Sequence, residues 1–386
     1  MSIKKKVPTL RFKRFSEIWN TSKLKEITSY VDYRGRAPIK SESGHFLVTA
    51  KNIKQGFIDY ECSKEYVATK DYSNVMSKGM PKIGDVLFTT EAPMGNVAQI
   101  DNPNIALAQR VIKFRGKQSL KNSFLLYYML SKPFKQYTSK KAIGSTVKGI
   151  SGKELHKTPV SFPEIEEQQK IASFLSSVDK KIALLQQKKT LLEHYKKGVM
   201  QQIFSQQLRF KDDDGNDFAD WEKKKLGDIA TKESSNISAN KIEENIGDYK
   251  IYGASGLLKN IDFYREENPY ISIVKDGAGV GRTLLCDAKS SVLGTLDIIK
   301  PRINANLYFI YSLLNNIDFT KYITGSTIPH IYFKDYSKEK IKIPSIKEQT
   351  KIANFLSAID DKIQLVAESI EATQQFKKGL LQQMFV

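Results

Sequence analysis

Residues 162–205 read FPEIEEQQKIASFLSSVDKKIALLQQKKTLLEHYKKGVMQQIFS, and residues 343–386 read IPSIKEQTKIANFLSAIDDKIQLVAESIEATQQFKKGLLQQMFV. The second stretch begins 181 residues after the first. The two align without a gap, with about 20 identities in about 44 positions, which indicates an internal repeat. We therefore expect one structural element to occur twice in this chain.

The repeat extends beyond these two stretches. Gly144-Ser145-Thr146 matches Gly325-Ser326-Thr327 at the same offset. Further back, Leu10-Arg11-Phe12 and Leu208-Arg209-Phe210 are the same motif, and the Trp19 and Lys23-Leu24 that follow the first copy match Trp221 and Lys225-Leu226 at an offset of 202. The first copy therefore has about 21 more residues between its landmarks. This pattern predicts four parts: a first variable domain (1–162), a central helix (163–205), a second variable domain (206–343) and a C-terminal helix (344–386).

Both repeated stretches carry apolar residues at alternating steps of four and three. This period predicts a coiled-coil seam, with an ordinary amphipathic helix of a globular core as the alternative. Ser345, followed by Glu348, predicts a capping box at the start of the second helix. The seam positions are Ile171, Leu175, Val178, Ile182 and Leu185 in the first helix and Ile352, Leu356, Ile359, Ile363 and Val366 in the second.

The order of the parts predicts that the two helices are antiparallel. The first helix runs from the first domain to the second, so the helix that follows the second domain is expected to run back. A helix of about 35 residues spans roughly 50 Å. This length is sufficient to hold the two domains over separate turns of B-DNA, which lie about 34–36 Å apart. Lys189, Lys196 and Lys377 interrupt the seam, and we expect them to be solvated or to snorkel toward solvent, with a partner contact as the weaker alternative.

Short β-branched segments separated by glycine and proline are typical of the two variable domains, which predicts an α+β fold with curved sheets. In the first domain we expect strands at His45–Ala50, Asp85–Thr90, Asn96–Ile100 and Arg110–Phe114 and a helix at Ser123–Lys132. In the second we expect strands at Asn268–Lys275, Thr283–Asp287 and Thr295–Pro301 and a helix at Leu307–Asn315.

The charge of the chain favours a nucleic-acid partner. Lys and Arg number 61 against 42 Asp and Glu, a formal net charge of +19, and phosphate backbones attract such an excess. The acidic run at 211–222 departs from this balance and is expected to be a solvated loop at a domain boundary. A basic protein without nucleic-acid binding is the alternative.

Several other classes are not supported by the sequence. The two cysteines and four histidines are not at metal-ligand spacing, so no metal site is expected. No signal peptide or stretch of about 20 apolar residues is present, which predicts a cytoplasmic protein without a membrane span. Neither Asp101-Asn102-Pro103 nor Asn268-Pro269-Tyr270 supplies the tetrapeptide of an adenine methyltransferase, and no P-loop or catalytic triad is found.

One glycine-rich segment needs separate treatment. Residues 276–282 read DGAGVGR, which is similar to a dinucleotide-binding loop. The spacing is GxGxG rather than GxGxxG, and the residues that follow are typical of a strand rather than a helix. We therefore predict a hairpin turn.

Candidate DNA contacts are basic, amide and hydroxyl residues at loop positions. Arginine pairs with guanine and asparagine with adenine in the major groove, while Ser, Thr and Lys bind phosphates. For each residue alone a solvated surface position is the alternative. The candidates are Tyr33, Arg34, Arg36, Lys51, Asn52, Arg110, Ser145, Thr146 and Lys148 in the first domain and Tyr252, Ser255, Lys275, Arg282, Ser326, Thr327 and His330 in the second.

These features together resemble the specificity (S) subunits of bacterial type I restriction-modification systems. The resemblance rests on the segment 344–360 (PSIKEQTKIANFLSAID) and its counterpart 163–179, the LRF openings, the GST loops, and Tyr252–Gly256 with Asp262-Phe263-Tyr264. It covers essentially the whole chain. The helix starts are specific to this family, whereas the loop residues diverge with the DNA target.

The resemblance implies a non-catalytic subunit with two target recognition domains that read the halves of a split, asymmetric double-stranded DNA site. The two helices would set the spacer and bind two methyltransferase (M) subunits, and two restriction (R) subunits would complete the complex. S-adenosylmethionine, ATP and Mg would be bound by these partners and not by this chain. Candidate residues for the methyltransferase interface are Glu167, Gln168, Phe174, Glu348, Gln349 and Phe355, and packing of the two phenylalanines beside the seam is the alternative.

Two other functions remain as alternatives. A self-contained methyltransferase-nuclease would need catalytic motifs that this sequence lacks. A basic coiled-coil scaffold without sequence preference would not need two dissimilar domains.

Overall fold

The computed structural model describes residues 7–33 and 37–386. The chain divides into two compact units. Unit 1 comprises Met1–Leu185 and Ser369–Val386, and unit 2 comprises Gln186–Glu368. Each unit therefore contains one variable domain, the start of one long helix and the end of the other.

The elements of the first half of the chain alternate short strands with short helices. The strands are β1 (Asn20–Lys23), β2 (Thr28–Asp32), β3 (His45–Val48), β4 (Tyr66–Val67), β5 (Val86–Thr89), β6 (Val97–Gln99), β7 (Ile105–Leu107), β8 (Val111–Gly116) and β9 (Pro159–Phe162). The helices are α1 (Leu24–Ile27), α2 (Thr69–Val75), α3 (Asn122–Leu130), α4 (Lys132–Lys141), α5 (Gly152–His156) and α6 (Ile165–Phe204).

The second half repeats the order of the strands but has two domain α-helices fewer. Its strands are β10 (Glu222–Lys225), β11 (Ala230–Ser234), β12 (Tyr249–Gly253), β13 (Gly256–Ile261), β14 (Tyr270–Val274), β15 (Thr283–Cys286), β16 (Ser290–Val292), β17 (Leu296–Pro301) and β18 (Lys340–Ile343). Its helices are α7 (Leu226–Ile229), α8 (Leu307–Asn316), α9 (Phe333–Tyr336) and α10 (Ile346–Gln383), with 3-10 turns at Ala239–Ile242 and Phe319–Tyr322.

The two variable domains have the same sheet topology. Unit 1 has a four-stranded sheet in the order β2-β8-β5-β6, a three-stranded sheet β4-β3-β7 and the pair β1-β9. Unit 2 has β11-β17-β14-β15, β13-β12-β16 and β10-β18. In both three-stranded sheets one pair is parallel, β3 with β7 and β12 with β16. The predicted strands and domain helices are confirmed, and the internal repeat includes the domains as well as the helices.

A short segment that precedes β1 or β10 holds each helix start against its own domain. The Arg11 guanidinium donates to both carboxylate oxygens of Glu167 at 2.7 Å, and the Glu167 side chain is only 2% exposed. In unit 2 Arg209 contacts the buried Glu348 at 3.3 Å. The Arg of each LRF motif is therefore an ion partner of the helix that comes about 140–156 residues later in the chain.

The glutamine after each of these glutamates caps the domain helix. The Gln168 amide donates to the carbonyls of Ser119 and Pro163, and its oxygen accepts from the Lys121 N–H. Gln349 makes the corresponding bonds to Asn304, Pro344 and the Asn306 N–H. Because buried amides are costly to leave unpaired, these bonds fix the angle at which each long helix leaves its domain.

The helix ends return to aromatic clusters. In unit 1 Trp19 contacts Phe124 and Phe385, with ring centroids 5.8 Å and 6.4 Å away. In unit 2 Trp221 contacts Phe204 and Phe309 at 6.4 Å and 6.1 Å. Phe385, after the end of α10, thus packs in the first variable domain, and Phe204, at the end of α6, packs in the second.

The first three predicted seam positions of each long helix lie in a core. Ile171, Leu175 and Val178 belong to the core of unit 1, as do Leu380 and Met384 from the end of α10. Ile352, Leu356 and Ile359 belong to the core of unit 2, together with Val199 and Ile203 from the end of α6. The remaining seam positions are Ile182, Leu185 and Ile363, which are partly buried, and Val366, which is buried.

The lysines in the seam are not simply solvated, which corrects the expectation from the sequence. Lys377 Nζ lies 2.5 Å from Asp179 Oδ1 in unit 1, and Lys196 Nζ lies 2.6 Å from Asp360 Oδ1 in unit 2. As the residue number rises along α6, that of its partner on α10 falls, so the helices are antiparallel. Lys189 pairs within α6 with Glu193.

Two loop predictions can also be assessed. Residues 276–282 join β14 to β15, which pair antiparallel, so DGAGVGR is a hairpin turn as predicted. The acidic loop is closed by an isolated bridge between Lys211 and Asp217, and most of its residues are exposed. None of the helices in the described ranges is both long and apolar enough to cross a membrane.

We predict that Arg11→Ala lowers the free energy of unfolding of unit 1 by about 3–5 kcal/mol, because it leaves the buried Glu167 carboxylate without its ion partner. The measurement is urea unfolding followed by Trp19 fluorescence in a Trp221→Phe background, since one tryptophan lies in each unit.

Arg14→Ala is the matched control. Arg14 pairs with Glu166, but the two side chains are 60% and 70% exposed, so the loss should be under about 1 kcal/mol. Equal losses in the two variants would contradict the role assigned to the buried pair.

Candidate nucleic-acid interface

Three chain segments meet where β5 ends and β8 begins in the four-stranded sheet of unit 1. They are the turn between β5 and β6, the segment before β8 and the loop at 143–149. The Thr90 N–H donates to the Arg110 carbonyl at 2.9 Å, and the Ile150 N–H donates to Thr90 at 3.0 Å. Isolated bridges join Gly149 to both Glu91 and Ile143. We name these segments loop cluster 1.

Arg110 is the most prominent basic side chain of loop cluster 1. Its φ of +73° is uncommon for a residue other than glycine, and such conformations occur often at functional sites. Its Nε lies 2.9 Å from Glu91 Oε1, and the side chain is 48% exposed. Glu91 therefore orients the guanidinium, and the remaining N–H groups face solvent as donors for a planar acceptor pair.

A hollow of about 270 Å³ lies beside Arg110. Lys40, Lys51 and Ala92 line it together with Arg110. Ala37 and Pro38 also line it. The predicted contacts Arg34 and Arg36 lie outside the described residues, so their placement is not assessed.

The loop at 143–149 presents Ser145, Thr146 and Lys148, all of which are exposed. Gly144 has a φ of +116°, and a Cβ there would lie 2.2 Å from the Val147 carbonyl oxygen. The turn thus requires glycine, which explains why the motif starts with this residue.

Two predicted contacts of the first domain are buried. Asn52 is fully buried; its oxygen accepts from the Thr49 N–H and its amide donates to the Asp59 and Ser63 carbonyls. Tyr33 is 4% exposed and donates to the Gly79 carbonyl, and burial raises the pKa of its hydroxyl. Their hydrogen-bonding groups are engaged inside the domain, so this structure gives no support to base contacts by either residue.

Unit 2 repeats this construction with different side chains. The Gly277 N–H of the β14–β15 turn donates to the Pro329 carbonyl at 2.9 Å, and the Ile331 N–H donates to Lys275 at 3.0 Å. Isolated bridges join His330 to Asp276 and to Thr324. We name this turn and the loop at 324–330, with the adjoining turn at 253–256, loop cluster 2.

Arg282 and His330 are the basic groups of loop cluster 2. Arg282 is exposed, and its Nη1 donates to the Ala254 carbonyl at 3.0 Å, which links the two turns. His330 Nδ1 lies 3.2 Å from Asp276 Oδ1. Ser255, Ser326 and Thr327 are exposed.

The other two candidates of the second domain are engaged inside it. Tyr252 donates to Asp287 Oδ2 at 2.9 Å, and burial raises the pKa of its hydroxyl. Lys275 Nζ lies 3.5 Å from Asp297 Oδ1, whose side chain is 5% exposed. Lys275 therefore compensates a buried charge, although part of its side chain remains accessible.

The structure gives the predicted partner-interface residues a different role. Glu167, Gln168, Glu348 and Gln349 are buried in their own units by the bonds described above. Phe174 packs edge-to-face on Phe12 at 5.8 Å, and Phe355 packs on Phe210 at 5.4 Å. The four polar side chains are engaged inside their own units, whereas Phe174 and Phe355 are only partly buried, so a partner contact of the phenylalanines stays a prediction.

The parts of the chain that the structure covers contain two free cysteines, of which Cys62 is exposed. No group of three or more His, Cys, Asp or Glu that could hold a metal ion occurs there. Cys286 is buried, and this burial raises the pKa of its thiol to about 11. The thiol is therefore protonated at neutral pH and poorly suited to act as a nucleophile.

Sequence reasoning missed the residues that orient the arginines. Glu91 lies 19 positions before Arg110, and Ala254 lies 28 positions before Arg282, so no local pattern indicates either contact. The Gly-Ser-Thr repeat did contain a usable signal, since both copies mark the loop that packs against the hairpin turn.

Comparison with known proteins identifies the family. A model of the type I restriction modification DNA specificity domain matches residues 16–194 and 219–374. The type I restriction enzyme MjaIX specificity subunit of Methanocaldococcus jannaschii is 25% identical over 94% of this chain and 91% of its own length. The MjaVIII specificity subunit of the same organism is 30% identical over 50% of this chain and 47% of its own length. These relatives are archaeal, so the bacterial origin stays a prediction.

Solved structures show the same fold. The type I restriction-modification S subunit from M. genitalium aligns with a TM-score of 0.63 at 15% identity, over 98% of this chain and 99% of its own. A chain from a structural study of complex assembly and conformational transition in the type I R-M system aligns with a TM-score of 0.56 at 17% identity, over 94% and 96% of the two chains. The predicted fold class is confirmed.

Proposed function

The chain belongs to the type I restriction modification DNA specificity domain family, and we propose that it selects a split DNA site on which partner subunits act. One observation carries this proposal. Two loop clusters of the same backbone construction present different polar side chains, in a chain whose net charge is +19. A shared frame with different exposed groups suits two readers of different DNA sequences.

In this proposal each loop cluster enters one major groove. Arg110 in cluster 1 and Arg282 in cluster 2 are exposed and are each oriented by one bond, so their free N–H groups can pair with guanine O6 and N7. The hydroxyl groups at 145–146 and 326–327 and the ammonium group of Lys148 suit phosphates. Tyr33, Asn52 and Tyr252 form hydrogen bonds inside their own domains, so no base contact is assigned to them.

The target is asymmetric because the two clusters differ. Cluster 1 carries Arg110 and Lys148, whereas cluster 2 carries Arg282 and His330. A palindromic site would require the same groups twice. The helices α6 and α10 are each shared by both units, and we propose that their length sets the spacer between the half-sites.

The chemistry is assigned to partners. We propose that the chain directs adenine methylation and DNA cleavage without catalysing either reaction. Methyltransferase subunits would bind S-adenosylmethionine, and restriction subunits would bind ATP and Mg. The assembly is proposed to work in the cytoplasm.

Exposed apolar residues on the long helices are the reason for proposing that two copies of one partner bind. In unit 1 the side chains of Leu184 on α6 and Phe376 on α10 are both 55% exposed. Unit 2 exposes Leu365 of α10 and Tyr195 of α6, which are 62% and 53% accessible. Leu184 and Leu365 occupy the same position of the repeat, as do Tyr195 and Phe376. Large exposed apolar groups mark interaction sites, and their recurrence at repeat positions suits two methyltransferase subunits.

DNA selection tests the reading roles. We expect Arg110→Ala to cost about 1–3 kcal/mol of discrimination in one half-site only, and Arg282→Ala to do the same in the other half-site, because each removes one bidentate base contact. The measurement is selection from a random duplex pool by the complex of the chain with its methyltransferase, followed by sequencing.

Arg302→Ala is the control, since Arg302 is exposed outside both clusters. It should leave both half-sites unchanged. Selection of the same sequences by the wild-type, Arg110→Ala and Arg282→Ala complexes would overturn the assigned roles.

Partner stoichiometry tests the docking surfaces. The pair Leu184→Ala and Phe376→Ala should remove one methyltransferase copy, and Leu365→Ala with Tyr195→Ala should remove the other, because each pair loses most of its exposed apolar area. Native mass spectrometry of the assembled complex gives the count of copies.

Ile246→Ala is the matched control, because Ile246 is 83% exposed and lies in the segment between the 3-10 turn Ala239–Ile242 and β12. It should leave two copies bound. Two copies in both paired variants would show that the partners dock elsewhere.

A further inference from the structure

A groove of about 800 Å³ in unit 1 lies outside loop cluster 1. It is formed by α4, the last turns of α10 and the turn before β4, which contributes Gln55. Five lysines line it, with four glutamines, one serine and two leucines, and none of the lining residues is a carboxylate. The lysines are Lys132, Lys135, Lys140, Lys377 and Lys378. We name this the lysine groove.

Most of this positive charge is not neutralised by the residues that the structure describes. Lys377 pairs with Asp179 behind the groove. Lys135 Nζ donates to the neutral Gln55 side chain at 2.8 Å, and burial together with the charge of Lys377 lowers the pKa of Lys135. Within the described ranges, no carboxylate lies at ion-pair distance from Lys132, Lys140 or Lys378. Like charges held this close favour an anion that would separate them.

The groove adjoins the loops that are proposed to read bases. The α4 helix ends at Lys141, immediately before the loop at 143–149. On the other side, the Gln55 amide donates to the Gly95 carbonyl at 3.1 Å and to Asn96 Oδ1 at 2.7 Å, both in the β5–β6 turn. An extended polyanion in contact with loop cluster 1 can therefore continue into the groove.

Unit 2 provides an internal comparison. The corresponding cavity, of about 460 Å³, is lined by Lys196 and Lys197 but also by Glu193 and Asp360. The place of α4 is taken by the 3-10 turn Phe319–Tyr322, whose single lysine is paired with Glu339 at 2.8 Å. The excess positive charge is thus a property of unit 1 alone and not of the repeated frame.

We propose that the lysine groove binds phosphates of the DNA backbone beside the half-site that unit 1 reads. This inference rests on the proposed function. Ammonium groups bind phosphates without reading sequence, and the carboxamides and the serine hydroxyl add hydrogen-bond donors. As a consequence, the first half-site is bound through more phosphate contacts than the second.

The groove does not compete with the proposed partner surface. Lys378 follows Phe376 by two residues, which places the two side chains about 200° apart around α10. One face of this helix end can bind the methyltransferase while the other faces the phosphates.

The test compares two charge-matched triple variants of the methyltransferase complex on DNA that carries the selected site. One variant is Lys132→Gln, Lys140→Gln and Lys378→Gln. The control is Lys197→Gln, Lys223→Gln and Lys338→Gln, three lysines of unit 2 that are exposed and have no ion pair in the described ranges. The readout is the slope of the logarithm of the binding constant against the logarithm of the salt concentration.

Each phosphate contact contributes about 0.9 to this slope, so the groove variant should lose about 2.7 and the control close to none. The ratio of affinities for target and random DNA should stay as in the wild type. Equal slopes in the two variants would overturn the proposal. A wild-type complex without any sequence preference would instead overturn the proposed function.

Neutral methylphosphonate linkages locate the phosphates. Substituting linkages beside the first half-site should weaken the wild-type complex but not the groove variant, and substitutions beside the second half-site should affect both equally. Inorganic phosphate, compared with chloride at equal ionic strength, distinguishes a site for a small anion. If phosphate binds the free complex with higher affinity than chloride and the methylphosphonates act equally on both proteins, the DNA proposal is wrong.

Discussion

The contact between each glutamate–glutamine pair and its own domain is the constraint on which the rest of the structure depends. Glu167 with Gln168, and Glu348 with Gln349, are buried at the point where a long helix leaves a sheet-rich domain. An arginine from a distant segment neutralises each carboxylate. The side-chain oxygen of each glutamine accepts a hydrogen bond from the backbone N–H just before the domain helix begins. Buried charge and amide groups tolerate few alternative geometries, so they fix the direction in which each helix starts.

The two copies of this junction are not equally tight. Arg11 holds Glu167 with two bonds of 2.7 Å, whereas Arg209 reaches Glu348 at 3.3 Å, and Oε1 of Glu348 has no hydrogen-bond partner in the described chain. Ser345 caps the helix of the second copy by accepting from the Glu348 N–H at 3.4 Å. The predicted capping box is therefore half present, because the Glu348 side chain is committed to the arginine.

The repeated frame could be predicted from the sequence because its determinants are local and recur. Seam positions such as Leu175 and Leu356 follow a helical period, and the GST motif marks equivalent loops. The seam lysines could not be assigned, because their partners Asp179 and Asp360 lie on the other long helix. The roles of Glu167 and Asn52 were also hidden, since a polar residue in a sequence does not show whether tertiary packing will bury it.

The two units differ in the exposed side chains of their loop clusters. The turn and loop that form each cluster are held by corresponding backbone bonds, yet Arg110 and Arg282 are oriented by unrelated partners, a carboxylate in one case and a carbonyl in the other. Helix α4 adds lysines to unit 1 that unit 2 lacks. We propose that this symmetric frame with asymmetric groups lets one chain bind identical partners while it contacts a DNA site with two different halves.

The central claim, that this chain chooses a split DNA site and that each unit reads one half, is tested most directly by single-molecule methylome sequencing. Methylation-deficient cells that express the chain with its methyltransferase would be compared with cells that express the methyltransferase alone. The account predicts one new asymmetric motif in two parts, with one methyladenine in each part. A palindromic motif, or no new motif while both proteins are folded and associated, would contradict it.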